Sequence, residues 1–244
     1  MGTHCGVAIG EDGYSQMGLE DIALMRSIPK MAVIQPADEH ETAAAVEYLL
    51  KEHKGPAFLR LTRQNVDDVT SQLNTKWEFG KGVVLKEGSD LAVFATGGVV
   101  ANSLAAAEAI EKKYGLSVSV VNIHTIRPLD KDLVKSVAQK CGKVVTVEDH
   151  QITGGLGEEI ASHLSEVAPT PVHRIGLRDV FGESGTPSDL YEKFKLNPEG
   201  ITEQISNWLQ TQLKLNLDSR PRPKALASPP LVRLLQTHPS IIHI

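Results

Sequence analysis

Residues 89–123 read SDLAVFATGGVVANSLAAAEAIEKKYGLSVSVVNI, and the order of patterns in this stretch decides the fold class. LAVFAT (91–96) is too uniformly apolar for a strand with one wet face, so it belongs in a sheet covered on both sides. Gly97 and Gly98 then turn the chain, residues 101–114 form an alanine-rich helix, and VSVVNI (118–123) returns as a second buried strand. The rhythm continues downstream. Residues 130–139 read as a helix, KVVTVE (143–148) as a strand, 157–164 as the start of a helix, PVHRIGL (171–177) as a strand and 198–213 as a closing helix. Strands of this kind separated by helices predict an α/β fold with a mainly parallel, helix-flanked sheet.

Working outward, residues 1–63 predict a shorter strand–helix–strand–helix–strand unit with a polar loop at 4–16. LEDIALMR (19–26) has helical spacing and is ended by Pro29, which cannot continue the hydrogen-bond ladder. Residues 31–34 are a short β-prone run, 39–51 an amphipathic helix with an acidic start, and 57–61 a strand. The polar run 64–76 and the hairpin-like WEFGKGVVLKEGSD (77–90) break this alternation. The expected boundaries are a partial first domain at 1–68, a linker at 69–89, a complete second domain at 90–214, and a proline-rich, poorly ordered tail at 215–244.

Composition narrows the function classes without choosing one. The chain has 244 residues, 25 Lys and Arg against 30 Asp and Glu, and 41% hydrophobic residues, which is globular and mildly acidic. No basic stripe points to nucleic acid, and no apolar run approaches the roughly 20 residues of a membrane span. The N-terminal residues lack the basic and apolar regions of a secretory signal. Cys5 and Cys141 form neither a disulfide framework nor a zinc motif, so reduced thiols in the cytoplasm are expected.

Chemistry concentrates in THCGVAIGEDGYSQMG (3–18). Gly10, Gly13 and Gly18 bracket Glu11, Asp12, Ser15 and Gln16 just before a helix, where free backbone N–H groups favour an anion or a polar ligand. An Asx-turn with Ser15 as N-cap accounts for the same residues. His4, taken singly, reads as a packed or surface histidine. Arg60 and Arg63 fall at a strand end, where open α/β sheets place their ligands, and Arg63 at the loop edge is the better phosphate grip. Gly97 and Gly98 could cradle a phosphate, but with no GxGxxG and no P-loop lysine they read as tight-turn residues. EDHQITGGLGEE (148–159) could line a site or an interface, yet a strand-to-helix turn with the solvated acidic pair Glu148 and Asp149 is the plainer reading. No metal-ligating spacing and no nucleophile elbow are visible.

Residues 2–38, GTHCGVAIGEDGYSQMGLEDIALMRSIPKMAVIQPAD, followed by GPAFLRLTRQN (55–65), resemble the second half of the pyrimidine-binding domain of transketolases. Residues 89–134 and KVVTVEDHQITGGLGEEIASHL (143–164) are similar to the C-terminal domain of the same family. The resemblance implies transfer of a two-carbon ketol unit between ketose and aldose phosphates. It also implies thiamine diphosphate with Mg2+ or another divalent cation, held at a dimer interface. Carried over by position, His4 and Arg63 would bind the substrate near its phosphate, Asp12 would accept a sugar hydroxyl, and Gln16 would face the cofactor. Many microbial and plant members read GEDGPTHQ, whereas GEDGYSQM here places Gln16 where their histidine stands. An amide can donate a hydrogen bond there but cannot shuttle a proton. Tyr14 takes the place of the usual proline.

In this family the glutamate that activates the aminopyrimidine, the aromatic residue on that ring, and the diphosphate- and metal-binding domain lie upstream of the matched segment. The expectation is therefore the C-terminal portion of a transketolase, inactive alone and with no certain catalytic residue of its own. It would be a gene fragment, a split subunit or a truncated paralogue, with the fragment or truncated product favoured. Its expected partners are sugar phosphates and either a second copy, as a homodimer, or a complementing N-terminal portion. Two alternatives stand beside this. One is a related thiamine diphosphate enzyme such as deoxyxylulose-phosphate synthase or a 2-oxo acid dehydrogenase β subunit; the other is a non-catalytic dimerisation module.

Overall fold

The computed structural model describes residues 1–73 and 76–218. The chain divides into a unit Met1–Ser206, which holds both sheets, and a unit Asn207–Ile244, which continues the last helix as far as Asp218. The expected tail at 215–244 lies outside the described residues from 219 onward, and its first four residues are helical.

The larger sheet has five strands in the order β3-β5-β4-β7-β8: β3 Val83–Lys86, β5 Val118–Asn122, β4 Leu91–Ala95, β7 Val144–Gln151 and β8 Val172–Leu177. All neighbours run parallel except β3, which is antiparallel to β5. Every residue of β4 and β5 is buried, as their unbroken hydrophobicity requires. Helices α3 Val100–Tyr114, α4 Lys131–Cys141 and α5 Leu156–Val167 connect the parallel strands. Their ends are written locally. The Asp130 carboxylate accepts from Leu133 N at 3.2 Å to start α4, and Gly115 and Gly142 close α3 and α4 in the left-handed conformation.

The smaller sheet places β1 Ala32–Ile34 between β2 Ala57–Leu59, parallel, and β6 Thr125–Arg127, antiparallel. It carries α1 Asp21–Ser27 and α2 Glu39–Lys51. The Asp38 side chain caps α2 through Glu41 N at 2.9 Å, and Glu41 reaches back to Ala37 N at 2.8 Å, a reciprocal cap. Because β6 comes from the later part of the chain, the sheets share one core in which Ile22 and Val33 join Phe94, Val121, Ile126 and Leu156.

Two expectations need correcting. The hairpin-like segment 77–90 is no hairpin, because β3 pairs with β5 across more than thirty residues of chain. The opening strand expected in residues 1–63 is absent among the described residues. The N-terminal residues instead make single bridges, Gly2 with Arg60 and Cys5 with Gly18, around 3-10 turns at Val7–Asp12 and Tyr14–Gln16. Two short elements went unread: β6, and α6 Pro187–Lys193, capped by Thr186 with Pro187 in its first turn.

Candidate functional site

The carboxyl ends of β1 and β2 carry the polar loops, the usual ligand edge of a parallel sheet. Gly2 extends β2 by one rung, donating to Leu59 O at 2.9 Å and accepting from Leu61 N at 2.7 Å, so the chain leaves the sheet at Thr3 and His4. His4 is exposed, its Nδ1 2.9 Å from the Thr3 hydroxyl. Residues 7–16 then fold back in tight turns that depend on glycine. Gly13 has φ +79°, and a Cβ there would strike the Ser184 hydroxyl. Asp12, next to it, points outward.

Arg63 follows β2 and meets Asp12, its Nη1 2.9 Å from Oδ2 of the carboxylate and 3.4 Å from Ile9 O. Both side chains are close to half exposed, 47% and 43%. An ion pair so open to water contributes at most about 1 kcal/mol, so an incoming oxyanion can compete for the guanidinium. Gln16 is exposed on the same loop, its backbone N bonded to Gly13 O at 3.1 Å. The fold thus joins Asp12 to Arg63 directly and places His4 and Gln16 on the same pair of loops, with no hydrogen bond or ion pair from either to Arg63.

Beneath this surface lies a buried polar layer. Arg60 is 1% exposed, and its Nε donates to both Asp21 carboxylate oxygens at 3.1 and 2.9 Å. Its Nη2 donates to Gly18 O at 2.8 Å and Asp149 O at 3.1 Å. Burial pushes the Asp21 carboxyl up, but the Arg60 guanidinium and its hydrogen bonds outweigh this and hold Asp21 below its usual range. Burial also drives the nearby Cys5 thiol up to about 12, so it is no nucleophile.

The expected solvated acidic pair is not solvated. β7 continues through Gln151, so Glu148, Asp149 and His150 belong to a buried strand and not to a turn. Glu148 accepts from Leu156 N at 2.7 Å and Gly157 N at 2.9 Å and so caps α5; burial raises its pKa to about 7. Asp149 accepts from Val7 N at 2.9 Å and Ala8 N at 3.4 Å, and burial raises its pKa as well. Gly6, with φ +83°, lets the backbone press against that carboxylate, where a Cβ would collide. His150 is held down to about 4, chiefly by burial and then by Arg60. Sequence reasoning missed Asp149, Tyr191 and Gln64 as supports of these loops. The usable signal was KVVTV immediately before the acidic pair, a buried run with no turn residue to end it.

Comparisons with known proteins agree with this architecture. The family model described as "Transketolase, pyrimidine binding domain" matches residues 1–68, and "Transketolase, C-terminal domain" matches residues 80–201. A 6-deoxy-6-sulfo-D-fructose transketolase subunit from Clostridium sp. (strain MSTE9) is 39% identical over 82% of this chain and 62% of that protein. Transketolase of Mus musculus is 38% identical over 84% of this chain and 33% of its own length. A solved structure titled as a split gene transketolase in an inactive β4 tetramer superposes with a TM-score of 0.74 at 38% identity, covering 84% of this chain and 64% of that one. The chain therefore spans under two thirds of the length of each of these relatives.

Proposed function

Because the chain belongs to the transketolase family, we propose that it forms the substrate-facing C-terminal part of an enzyme that moves a two-carbon ketol group between ketose and aldose phosphates. The observation that carries this reading is the Asp12–Arg63 pair, solvent-open at the carboxyl edge of the small parallel sheet. Arg63 offers a planar fork of donors that suits a sugar's phosphate, and Asp12, once released from it, can accept a sugar hydroxyl. His4 adds a second donor on the phosphate side, and Gln16 an amide toward the cofactor. The division into a pyrimidine-binding part at 1–68, a linker at 69–89 and a C-terminal domain at 90–214 belongs to the same reading.

Thiamine diphosphate supplies the carbanion chemistry when bound. No group of three or more His, Cys, Asp or Glu able to hold a metal ion occurs among the described residues. A divalent cation and the diphosphate would accordingly be held by a complementing section or a second subunit. The groups present fit one polar wall of such a site, since the exposed Gln16 amide can hydrogen-bond but not relay a proton. We place this activity in the cytoplasm, in pentose phosphate metabolism, in a dimeric assembly. The free, buried thiols Cys5 and Cys141 suit a reducing compartment.

The test is ketol transfer from xylulose 5-phosphate to ribose 5-phosphate. Turnover is expected when the chain is mixed with a transketolase section that carries both the thiamine diphosphate-binding domain and the activating glutamate, with the cofactor and Mg2+ present, and not with the chain alone. In the active mixture, Arg63→Ala should raise KM for phosphorylated acceptors at least tenfold more than for unphosphorylated ones, the size of a lost charged hydrogen bond. Robust turnover by the chain alone, or equal effects on both acceptors, overturns the reading. A second reading concerns the anion: the relative named for a sulfonated fructose suggests a sulfonate in place of phosphate, which the same arginine fork would grip. Competition between ribose 5-phosphate and a 6-sulfonated ketose separates the two.

A further inference from the structure

We infer that Tyr191, braced between Asp149 and Gln64, is a positioning residue that sets the spacing of Asp12 and Arg63, and so the phosphate recognition assigned to them. This rests on the reading of the site under Proposed function.

The contacts close a ring. Val7 N and Ala8 N donate to the Asp149 carboxylate at 2.9 and 3.4 Å. The Tyr191 hydroxyl donates to Asp149 Oδ2 at 3.2 Å, and Gln64 Nε2 donates to the Tyr191 oxygen at 2.8 Å. Gln64 follows Arg63 in the chain, and Arg63 reaches across to Asp12 at 2.9 Å. Asp12 ends the turn that Val7 begins. The 7–16 loop thereby reaches Tyr191 through Asp149, and the Arg63 loop reaches it through Gln64; Tyr191 comes from α6 and touches neither Asp12 nor Arg63 by a hydrogen bond.

Burial makes this ring a demanding one. Asp149 is 4% and Tyr191 7% exposed, so water cannot replace a lost partner, and an unmet polar group there is costly. Packing supports the same placement. A Cβ at Gly10, φ +81°, would crowd Pro187 at the start of α6, and one at Gly13 would strike Ser184 just before it. The 7–16 loop is therefore seated against the α6 segment at Gly10 and Gly13, while Arg63 approaches from β2. Remove the hydroxyl of Tyr191 and the two loops remain attached to the protein but lose their common reference. The Asp12–Arg63 pair, being exposed, is too weak to restore it.

Tyr191→Phe removes only that hydroxyl, and Gln64→Leu cuts the same relay from its less buried end. Both are compared with the wild-type full chain by amide exchange and by binding of ribose 5-phosphate against ribose. Expected for each variant is exchange at least tenfold faster in peptides covering residues 7–17 and 62–66, with β4 and β5 unchanged. The preference for ribose 5-phosphate should fall at least fivefold, and neither variant should lower it further in an Arg63→Ala background. Exchange that rises in only one loop, or in neither, overturns the brace. Faster exchange in both loops with an unchanged preference overturns the positioning role and leaves a structural one. A wild-type chain with no preference for the phosphorylated sugar brings down the reading of the site, and with it anything for Tyr191 to position.

Discussion

Arg60 and Arg63 stand three residues apart, Arg60 paired with Asp21 at the start of α1 and Arg63 with Asp12 of the 7–16 loop, in opposite surroundings. Arg60 and Asp21 are 1% and 17% exposed, and the guanidinium also satisfies two backbone carbonyls, Gly18 and Asp149. Arg63 and Asp12 are 47% and 43% exposed and leave most of the guanidinium free. The same kind of ion pair is architecture where water is excluded, and where water reaches it the guanidinium stays open to exchange, as the proposed role of Arg63 in gripping a ligand requires. The deepest break of the contrast is Arg60→Ala, which strands the Asp21 carboxylate and two carbonyls inside the protein. A loss of about 3–5 kcal/mol is expected, by urea denaturation at pH 7. A loss under about 1 kcal/mol would show that water reaches the layer and that the two pairs do not differ in kind.

How much of this contrast could be read from the sequence follows from its physics. LAVFAT and VSVVNI announced β4 and β5 because strands buried on both faces must be apolar throughout, and the helices announced themselves by period, with Pro29 as a stop and an acidic start at 39–51. β6 was invisible: three residues, Thr125–Arg127, carry too little period, and their partner β1 lies some ninety residues earlier. In the candidate site, Arg63 was legible as a strand-edge arginine, and the GEDG turn as a glycine-dependent loop. The roles of Glu148 and Asp149 were not legible. Paired carboxylates read as a solvated turn unless their hydrogen-bond partners are known, and those partners are backbone N–H groups, which any residue could supply: Val7 and Ala8 for one, Leu156 and Gly157 for the other. Tyr191 sits in the short α6, where a single aromatic residue at helical spacing says packing and nothing of its hydroxyl.

The buried layer also has a pH signature. His150 lies in the buried layer, its Nε2 3.8 Å from Asp21, and burial followed by Arg60 depresses it to about 4. In the unfolded chain it titrates near 6.5, so between those values the unfolded state binds the extra proton. Its contribution to stability is complete above about pH 6.5 and is lost as pH falls toward 4, by at most about 1.4 kcal/mol per pH unit. His150→Gln should flatten that part of the acid limb when urea midpoints are compared at pH 4.5, 5.5 and 7. An unchanged slope would mean that the imidazole does not stay neutral in the fold, and that the layer is wetter than its geometry indicates.

The smallest expected effect is the most discriminating, because it concerns the outer pair. Arg63→Ala removes one exposed ion pair and a long 3.4 Å contact to Ile9 O. The Asp12 carboxylate left behind is 43% exposed and can turn to water, so the stability change should stay within about 1 kcal/mol. The contrast with Arg60 then rests on two numbers from one denaturation series, several kcal/mol inside against a fraction outside. Salt should sharpen it further: 0.5 M NaCl screens the exposed pair and should erase what little Arg63 contributes, while the Arg60 variant keeps its deficit. A salt-independent loss above about 2 kcal/mol at Arg63 would put that side chain to work holding the 7–16 loop. The outer pair would then be structural, and the free guanidinium that the candidate site depends on would have to be sought elsewhere on the same sheet edge.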